Sequence, residues 1–112
     1  MEIIRQPITR EQLQGKSKEL FGDMLKAVID IDRCIMAING ELHADEEALL
    51  LEDGSAQQNL WGINLYPDLD TADWIEFDSM INLRPSQSNM SRGVDDAEIR
   101  EIIIKIVNTL VQ

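Results

Sequence analysis

Aliphatic residues recur at helical spacing most regularly near the end of the chain. Asp95 followed by Glu98 has the pattern of a capping box, in which two residues satisfy free N–H groups at the start of a helix. The next aliphatic residues are spaced by three or four positions, which places them on one helical face. They are Ile99, Ile102, Ile103, Ile106, Val107 and Leu110. The pattern predicts a C-terminal amphipathic helix capped by Asp95.

The start of the chain shows the same signal. Thr9 is followed by Gln12, again the spacing of a capping box. The helix that begins there is predicted to run to about Phe21, because Gly22 suits a C-terminal stop.

Between these helices the hydrophobic period is mostly two, which is the side-chain period of a β-strand. Asn39-Gly40 is the residue pair best suited to a type I′ hairpin turn, so the segments on either side of it are predicted to pair. The clearest alternation ends at Pro85. The predicted strands cover residues 25–31, 34–38, 41–44, 60–66 and 74–83.

Residues 45–52 allow two interpretations. Asp45 as a cap, acidic residues in the first turn, an Ala-Leu run and Gly54 at the end favour a short helix. A strand that turns at Asp53-Gly54 is the alternative. If residues 45–52 form the helix, the sequence predicts one α+β domain over residues 1–112. It has two layers, in which about five mostly antiparallel strands carry the N- and C-terminal helices on one face.

Composition and charge narrow the classes of function. The chain has 112 residues, of which 44% are apolar and 28% charged, so it has the composition of a globular protein. A net charge of −11 argues against a general nucleic-acid surface or an anionic-membrane surface, both of which need cations. A single cysteine, Cys34, excludes an intrachain disulfide. Together with the lack of a signal-peptide pattern or a long apolar run, it leads us to expect a cytoplasmic protein that does not enter membranes.

Three polar residues with alternate spacing form the first candidate site. On a strand, Glu41, His43 and Asp45 share one face, where two carboxylates and an imidazole can bind a divalent metal or transfer protons. The alternative is a solvated strand end at which Asp45 caps the next helix. No cofactor-binding motif is present, so no cofactor is expected.

The long predicted strand carries a second polar set. Glu76, Asp78, Asn82 and Arg84 lie on one face of it, and Asn64 can lie beside them on a neighbouring strand. Such a face can hold Mg²⁺ and a phosphate or another polar ligand. The alternative is the ordinary polar side of a half-buried sheet.

Residues 79–94 contain no acidic residue in a strongly acidic chain. Arg84, Asn89 and Arg92 make this segment a candidate anion-binding site that leads into the positive end of the last helix. The alternative is a polar loop whose arginines pair with nearby acids.

Several segments together resemble a known family. They are Gly-Glu-Leu-His-Ala-Asp at 40–45, Leu-Trp-Gly-Ile-Asn at 60–64 and Ser-Met-Ile-Asn-Leu-Arg-Pro at 79–85, followed by the loop through Asn89 and Arg92. The set is similar to a family of short prokaryotic proteins known only as a domain of unknown function. The resemblance covers nearly the whole chain and implies no activity.

The sequence therefore favours a non-enzymatic binding or regulatory module that acts as a homo-oligomer. Ile104 and Val111 lie beside an already complete apolar stripe, which indicates either deep burial of the last helix or a second contact. The second contact is the basis for expecting a homo-oligomer. One alternative is a small metal-dependent hydrolase or nuclease that uses the acidic sheet face. Another is an antitoxin-like partner of a basic protein, which the net charge would attract.

Overall fold

The computed structural model describes residues 1–70 and 72–112. Its described strands form one open antiparallel sheet in the order β1-β3-β2-β4-β5. The strands are β1 (Glu2–Ile4), β2 (Leu25–Asp30), β3 (Ile35–Ile38), β4 (Leu60–Leu65) and β5 (Ile75–Glu76). The helices are α1 (Arg10–Ser17), α2 (His43–Glu52) and α3 (Ala97–Leu110), with short 3₁₀ turns at Gln57–Asn59, Met80–Asn82 and Pro85–Gln87. The predicted α+β class with five antiparallel strands is confirmed.

Both faces of the sheet are covered. Leu25, Ala27 and Ile29 of β2 belong to the larger core, together with Leu13 of α1 and four buried residues of α3. Val28 points the other way, into a smaller core with Leu50 of α2. The strand period read from residues 25–31 is therefore confirmed, and the middle helix covers the sheet face opposite α3.

The capping box of α1 is confirmed, although the helix is shorter than predicted. Thr9 Oγ1 accepts a hydrogen bond from the Gln12 N–H at 3.0 Å, and Gln12 Oε1 accepts one from the Thr9 N–H at 2.8 Å. The helix ends at Ser17 rather than near Phe21. Gly22 still closes the segment, since it has a φ of +89° and donates to the Ser17 carbonyl oxygen.

The cap of α3 is shifted by one residue from the predicted position. Asp96 accepts hydrogen bonds from the N–H groups of Glu98 and Ile99. Asp95 instead accepts from the Met90 N–H at 2.7 Å and from the Ser91 hydroxyl at 2.5 Å. The prediction of Asp95 as the cap is wrong because the preceding loop uses its carboxylate.

The predicted return strand at 41–44 is wrong. Asn39 has a φ of +65° while Gly40 does not take a positive φ, so the two do not form a type I′ turn. The chain enters α2 at His43, and β1 pairs with β3 instead. The helix predicted over 45–52 is confirmed and begins two residues earlier.

The predicted long strand at 74–83 is also wrong. Only Ile75–Glu76 pairs with β4, and the chain then turns into the 3₁₀ segment at Met80–Asn82, where the Ser79 hydroxyl caps the Ile81 N–H. No helix among the described residues is both long enough and apolar enough to cross a membrane.

Candidate functional site

β5 pairs with only two residues of β4. Along the rest of that edge, side chains form hydrogen bonds to β4 in place of a neighbouring strand. Asn82 Oδ1 accepts from the Gly62 N–H at 2.8 Å, and Asn82 Nδ2 donates to the Gly62 carbonyl oxygen at 2.9 Å. One amide side chain therefore makes the two bonds that a paired strand would make. Gly62 permits the close approach, because a Cβ there would lie 2.6 Å from the Cβ and Oγ of Ser79.

Arg84 completes this edge. Its Nε donates to the Ile81 carbonyl oxygen at 3.0 Å, and its Nη2 donates to the Leu60 carbonyl oxygen. The guanidinium lies 4.8 Å from the ring centroid of Trp61 and 3.6 Å from a carboxylate oxygen of Glu47. Burial lowers the pKa of Arg84, and the Glu47 charge acts in the opposite direction. Arg84, which was predicted to bind an anion, is thus buried and links β4 to the following loop through hydrogen bonds.

Asn89 has a similar role within the loop. Its Nδ2 donates to the carbonyl oxygens of Asn82 at 2.7 Å and Gly93 at 2.9 Å, and its Oδ1 accepts from the Asp95 N–H at 2.8 Å. The side chain is 3% exposed, so these bonds hold the loop before α3 in place. Arg92, the third predicted anion ligand, is exposed and its Nε donates to Asp78 Oδ1 at 2.7 Å. The structure therefore does not bring the three residues together around one anion.

His43 is buried at the first turn of α2. Its Nε2 lies 2.8 Å from the Ile63 carbonyl oxygen, which places the proton on Nε2. Burial lowers the pKa of His43 most strongly, the Ile63 carbonyl opposes that effect, and the charges of Lys26 and Arg92 lower the pKa further while Asp78 raises it. The imidazole is therefore neutral at pH 7 and donates to the main chain of the sheet.

Beside His43, polar residues line three neighbouring strands. Asn64 of β4 lies opposite both Lys26 of β2 and Glu76 of β5. Asn64 Nδ2 donates to Glu76 Oε1 at 2.8 Å, and the Tyr66 hydroxyl donates to the same oxygen at 3.2 Å. A small pocket of about 190 Å³ lies next to His43, with Lys26 and Arg92 in its wall. These residues form the polar surface of a sheet edge whose hydrogen bonds are largely made within the chain.

The first candidate set is divided by α2. Glu41 and Asp45 line a groove of about 500 Å³ that also includes Glu52, and His43 does not line it. Among residues 1–70 and 72–112, no three His, Cys, Asp or Glu side chains are grouped closely enough to hold one metal ion. Residues 41–45 do not form the predicted strand. Glu41, His43 and Asp45 lie around the start of α2 instead and do not share one face.

Nearly the whole chain matches one protein family. The model of a family described as a protein of unknown function, DUF5674, matches residues 2–110. The chain belongs to the DUF5674 family. The comparisons with curated proteins and with solved structures found no match for this DUF5674 chain.

Sequence reasoning missed the buried acid Glu46 of this DUF5674 chain. Glu46 is fully buried, its Oε2 accepts from the Gly40 N–H at 2.9 Å, and no described residue bonds to its Oε1. Burial raises the pKa of Glu46 from 4.5 to about 9, against the Gly40 hydrogen bond and the nearby Lys26 charge. The helical spacing of His43, Glu46 and Leu50 was the only available signal. It was obscured because two of these three buried residues are polar.

Proposed function

We propose that this protein is a non-enzymatic binding or regulatory module that acts as a homo-oligomer, with α3 at the interface. The observation that carries the proposal is an apolar groove of about 330 Å³ between α3 and the turn that contains Cys34. Its lining consists of Cys34, Ile102, Lys105, Ile106, Thr109 and Leu110. Ile102 is 42% exposed at this groove although its neighbour Ile103 is fully buried. An exposed isoleucine within an apolar groove is typical of a protein contact surface.

Ile104 and Val111, which the sequence singled out beside the apolar stripe, are not the apolar residues that α3 leaves exposed. Val111 is 7% exposed and forms a bridge with Ile8, so it belongs to the chain's own core. Ile104 is partly buried. Ile102, which the periodicity assigned to the core, is the residue that remains outside it. The support for self-association therefore rests on Ile102.

A second copy fits this surface because the exposed stripe of α3 carries both charges. Glu98, Glu101 and Lys105 are all exposed around Ile102. If two copies of α3 pack antiparallel about a two-fold axis near Ile102, Glu101 of one copy approaches Lys105 of the other, and the contact is repeated by symmetry. A uniformly acidic surface would instead favour a basic partner.

The roles of the polar residues support a binding module over a hydrolase. The side chains of Asn82, Arg84, Asn89 and His43 bond mainly to backbone atoms. A hydrolase needs a nucleophile, a base and a stabilising group that converge on one reacting atom. Side chains committed to main-chain bonds hold the fold together and do not form such a group.

Light scattering coupled to gel filtration tests the proposal. The wild type should have a mass above the 12.7 kDa of one chain, and Ile102→Glu should reduce it to one chain because each copy would bury a charge at the interface. Leu51→Glu is the matched control, since Leu51 is 40% exposed on α2, away from the α3 groove. A monomeric wild type at high micromolar concentration contradicts the proposal, and an oligomer that survives Ile102→Glu contradicts the α3 interface.

A further inference from the structure

The His43 pocket, the space of about 190 Å³ lined by His43, Lys26 and Arg92, concentrates positive charge in a strongly acidic chain. No aspartate or glutamate among the described residues lines it. Lys26 forms no ion pair with any of those residues. Arg92 bonds to Asp78 through Nε, which leaves its two terminal nitrogens without a described partner. In a chain of net charge −11, two cations without a lining acid indicate a place for an anion.

The first turn of α2 adds main-chain donors to the His43 pocket. His43 and Ala44 both line it, and their N–H groups bond to no described residue. The N-cap residue Leu42 offers no side-chain acceptor for them. Unbonded N–H groups at the positive end of a helix stabilise a nearby anion and so act in the same direction as the two cations.

Two nearly buried side chains each have an unused atom at this pocket. His43 is 9% exposed and donates from Nε2 to the Ile63 carbonyl oxygen, so its Nδ1 is an acceptor. No described residue donates to Nδ1, and Nδ1 does not belong to the fully buried atoms that lack a partner, so it stays within reach of a ligand. Ser79 is 1% exposed, and its hydroxyl oxygen accepts from the Ile81 N–H, whereas no described residue accepts its hydrogen. The His43 pocket thus combines one acceptor with several donors.

This combination selects among small anions. An oxyanion that also carries a hydrogen can accept from the donors and donate to His43 Nδ1. At about pH 8 inorganic phosphate keeps one hydrogen, whereas sulfate and a phosphate monoester have none. Pockets for organic ligands are usually roughly 300–1,000 Å³, so the smaller His43 pocket suits a single group of this size.

We infer that the His43 pocket binds hydrogen phosphate. The phosphate oxygens accept from Lys26, Arg92, the Ser79 hydroxyl and the first N–H groups of α2, and the phosphate hydroxyl donates to His43 Nδ1. This site is separate from the α3 groove and does not depend on the oligomer proposed above.

Calorimetry with phosphate, sulfate and methyl phosphate at about pH 8 and about 0.15 M salt tests the inference. Phosphate should bind at least about tenfold more tightly than either other anion, because their oxygens would face the lone pair of Nδ1. His43 is the only histidine, so the nitrogen resonances of its ring report on this pocket directly. Phosphate should shift the Nδ1 resonance, and sulfate at the same concentration should not.

A pair of lysine variants separates the pocket from the charge of the whole chain. Lys26→Met should weaken phosphate binding about tenfold, since it removes a charge-assisted hydrogen bond. Lys18→Met is the matched control, because it removes the same charge from an exposed position after α1 and should leave binding within about twofold of the wild type. Far-UV circular dichroism checks that both variants fold. Ile102→Glu should retain phosphate binding, which separates this test from that of the oligomer.

Three results overturn the inference. Sulfate or methyl phosphate that binds as tightly as phosphate means that the pocket responds to charge alone. Equal weakening by Lys26→Met and Lys18→Met means that phosphate responds to the net charge of the chain. An Nδ1 resonance that does not move at about 10 mM phosphate means that no phosphate binds beside His43.

Discussion

Replacing Glu46 with glutamine should make the protein more stable at neutral and alkaline pH, and the gain should increase as the pH rises. Glu46 is fully buried beneath Gly40, and its pKa is raised from 4.5 to about 9, primarily by burial. The folded chain therefore keeps a proton on this carboxyl throughout the neutral range, whereas the unfolded chain releases it. Glutamine keeps the shape and the acceptor for the Gly40 N–H without needing a proton.

The sign and size of the effect follow from proton linkage. Between the two pKa values the folded state binds one proton more than the unfolded state, so stability falls as the pH rises. The contribution of Glu46 is fully present below about pH 4.5, declines by at most about 1.4 kcal/mol per pH unit and is lost above about pH 9. From about pH 5 to about pH 8, the advantage of Glu46→Gln should grow by on the order of 3 kcal/mol.

Thermal and urea denaturation at several pH values measure this difference. An advantage of that size corresponds to about 10 °C in Tm for a domain of this length. Glu41→Gln is the matched control, because Glu41 is exposed before the first turn of α2 and its replacement should leave the midpoint close to the wild-type value at each pH. Stability curves of Glu46→Gln and wild type that run parallel from about pH 5 to about pH 8 would show that Glu46 is ionised in the folded protein, and the reasoning would be refuted.

Two further predictions concern the edge of β4. Gly62→Ala should lower the free energy of unfolding by about 2 kcal/mol, because the new Cβ would lie 2.6 Å from Ser79. Gly15→Ala, inside α1 with nothing within 4 Å of its Cβ, should instead raise it by about 0.5–1 kcal/mol. Urea denaturation that gives both changes the same sign would contradict this contrast. Asn82→Asp should cost roughly 3 kcal/mol, since it removes the N–H donors to the Gly62 and Arg92 carbonyl oxygens. A wild-type urea midpoint for it would disprove the strand-like role of Asn82.

The elements that the sequence predicted correctly depend on neighbours in the chain. The capping box at Thr9, the alternation along β2 and the apolar stripe of α3 each require contacts within a few residues or one buried face. Such signals can be recognised in the sequence because side chains face the same side of a helix or strand at a fixed spacing. The same reasoning selected Asn82, Arg84, Asn89 and His43 as unusual polar residues but assigned them to a ligand.

Only the tertiary structure showed what these polar residues contact. The bonds of Asn82 to Gly62 and of His43 to Ile63 each join residues twenty positions apart. The bonds of Asn82 form because only two residues of β5 pair with β4, so that an amide side chain takes the place of a strand along the rest of that edge. The bond of His43 forms because α2 packs on the sheet. A polar side chain has the same sequence signature whether it bonds to a ligand or to the backbone. The local pattern therefore determined the helices and the central strands, whereas the path of the folded chain decided where the polar groups are satisfied.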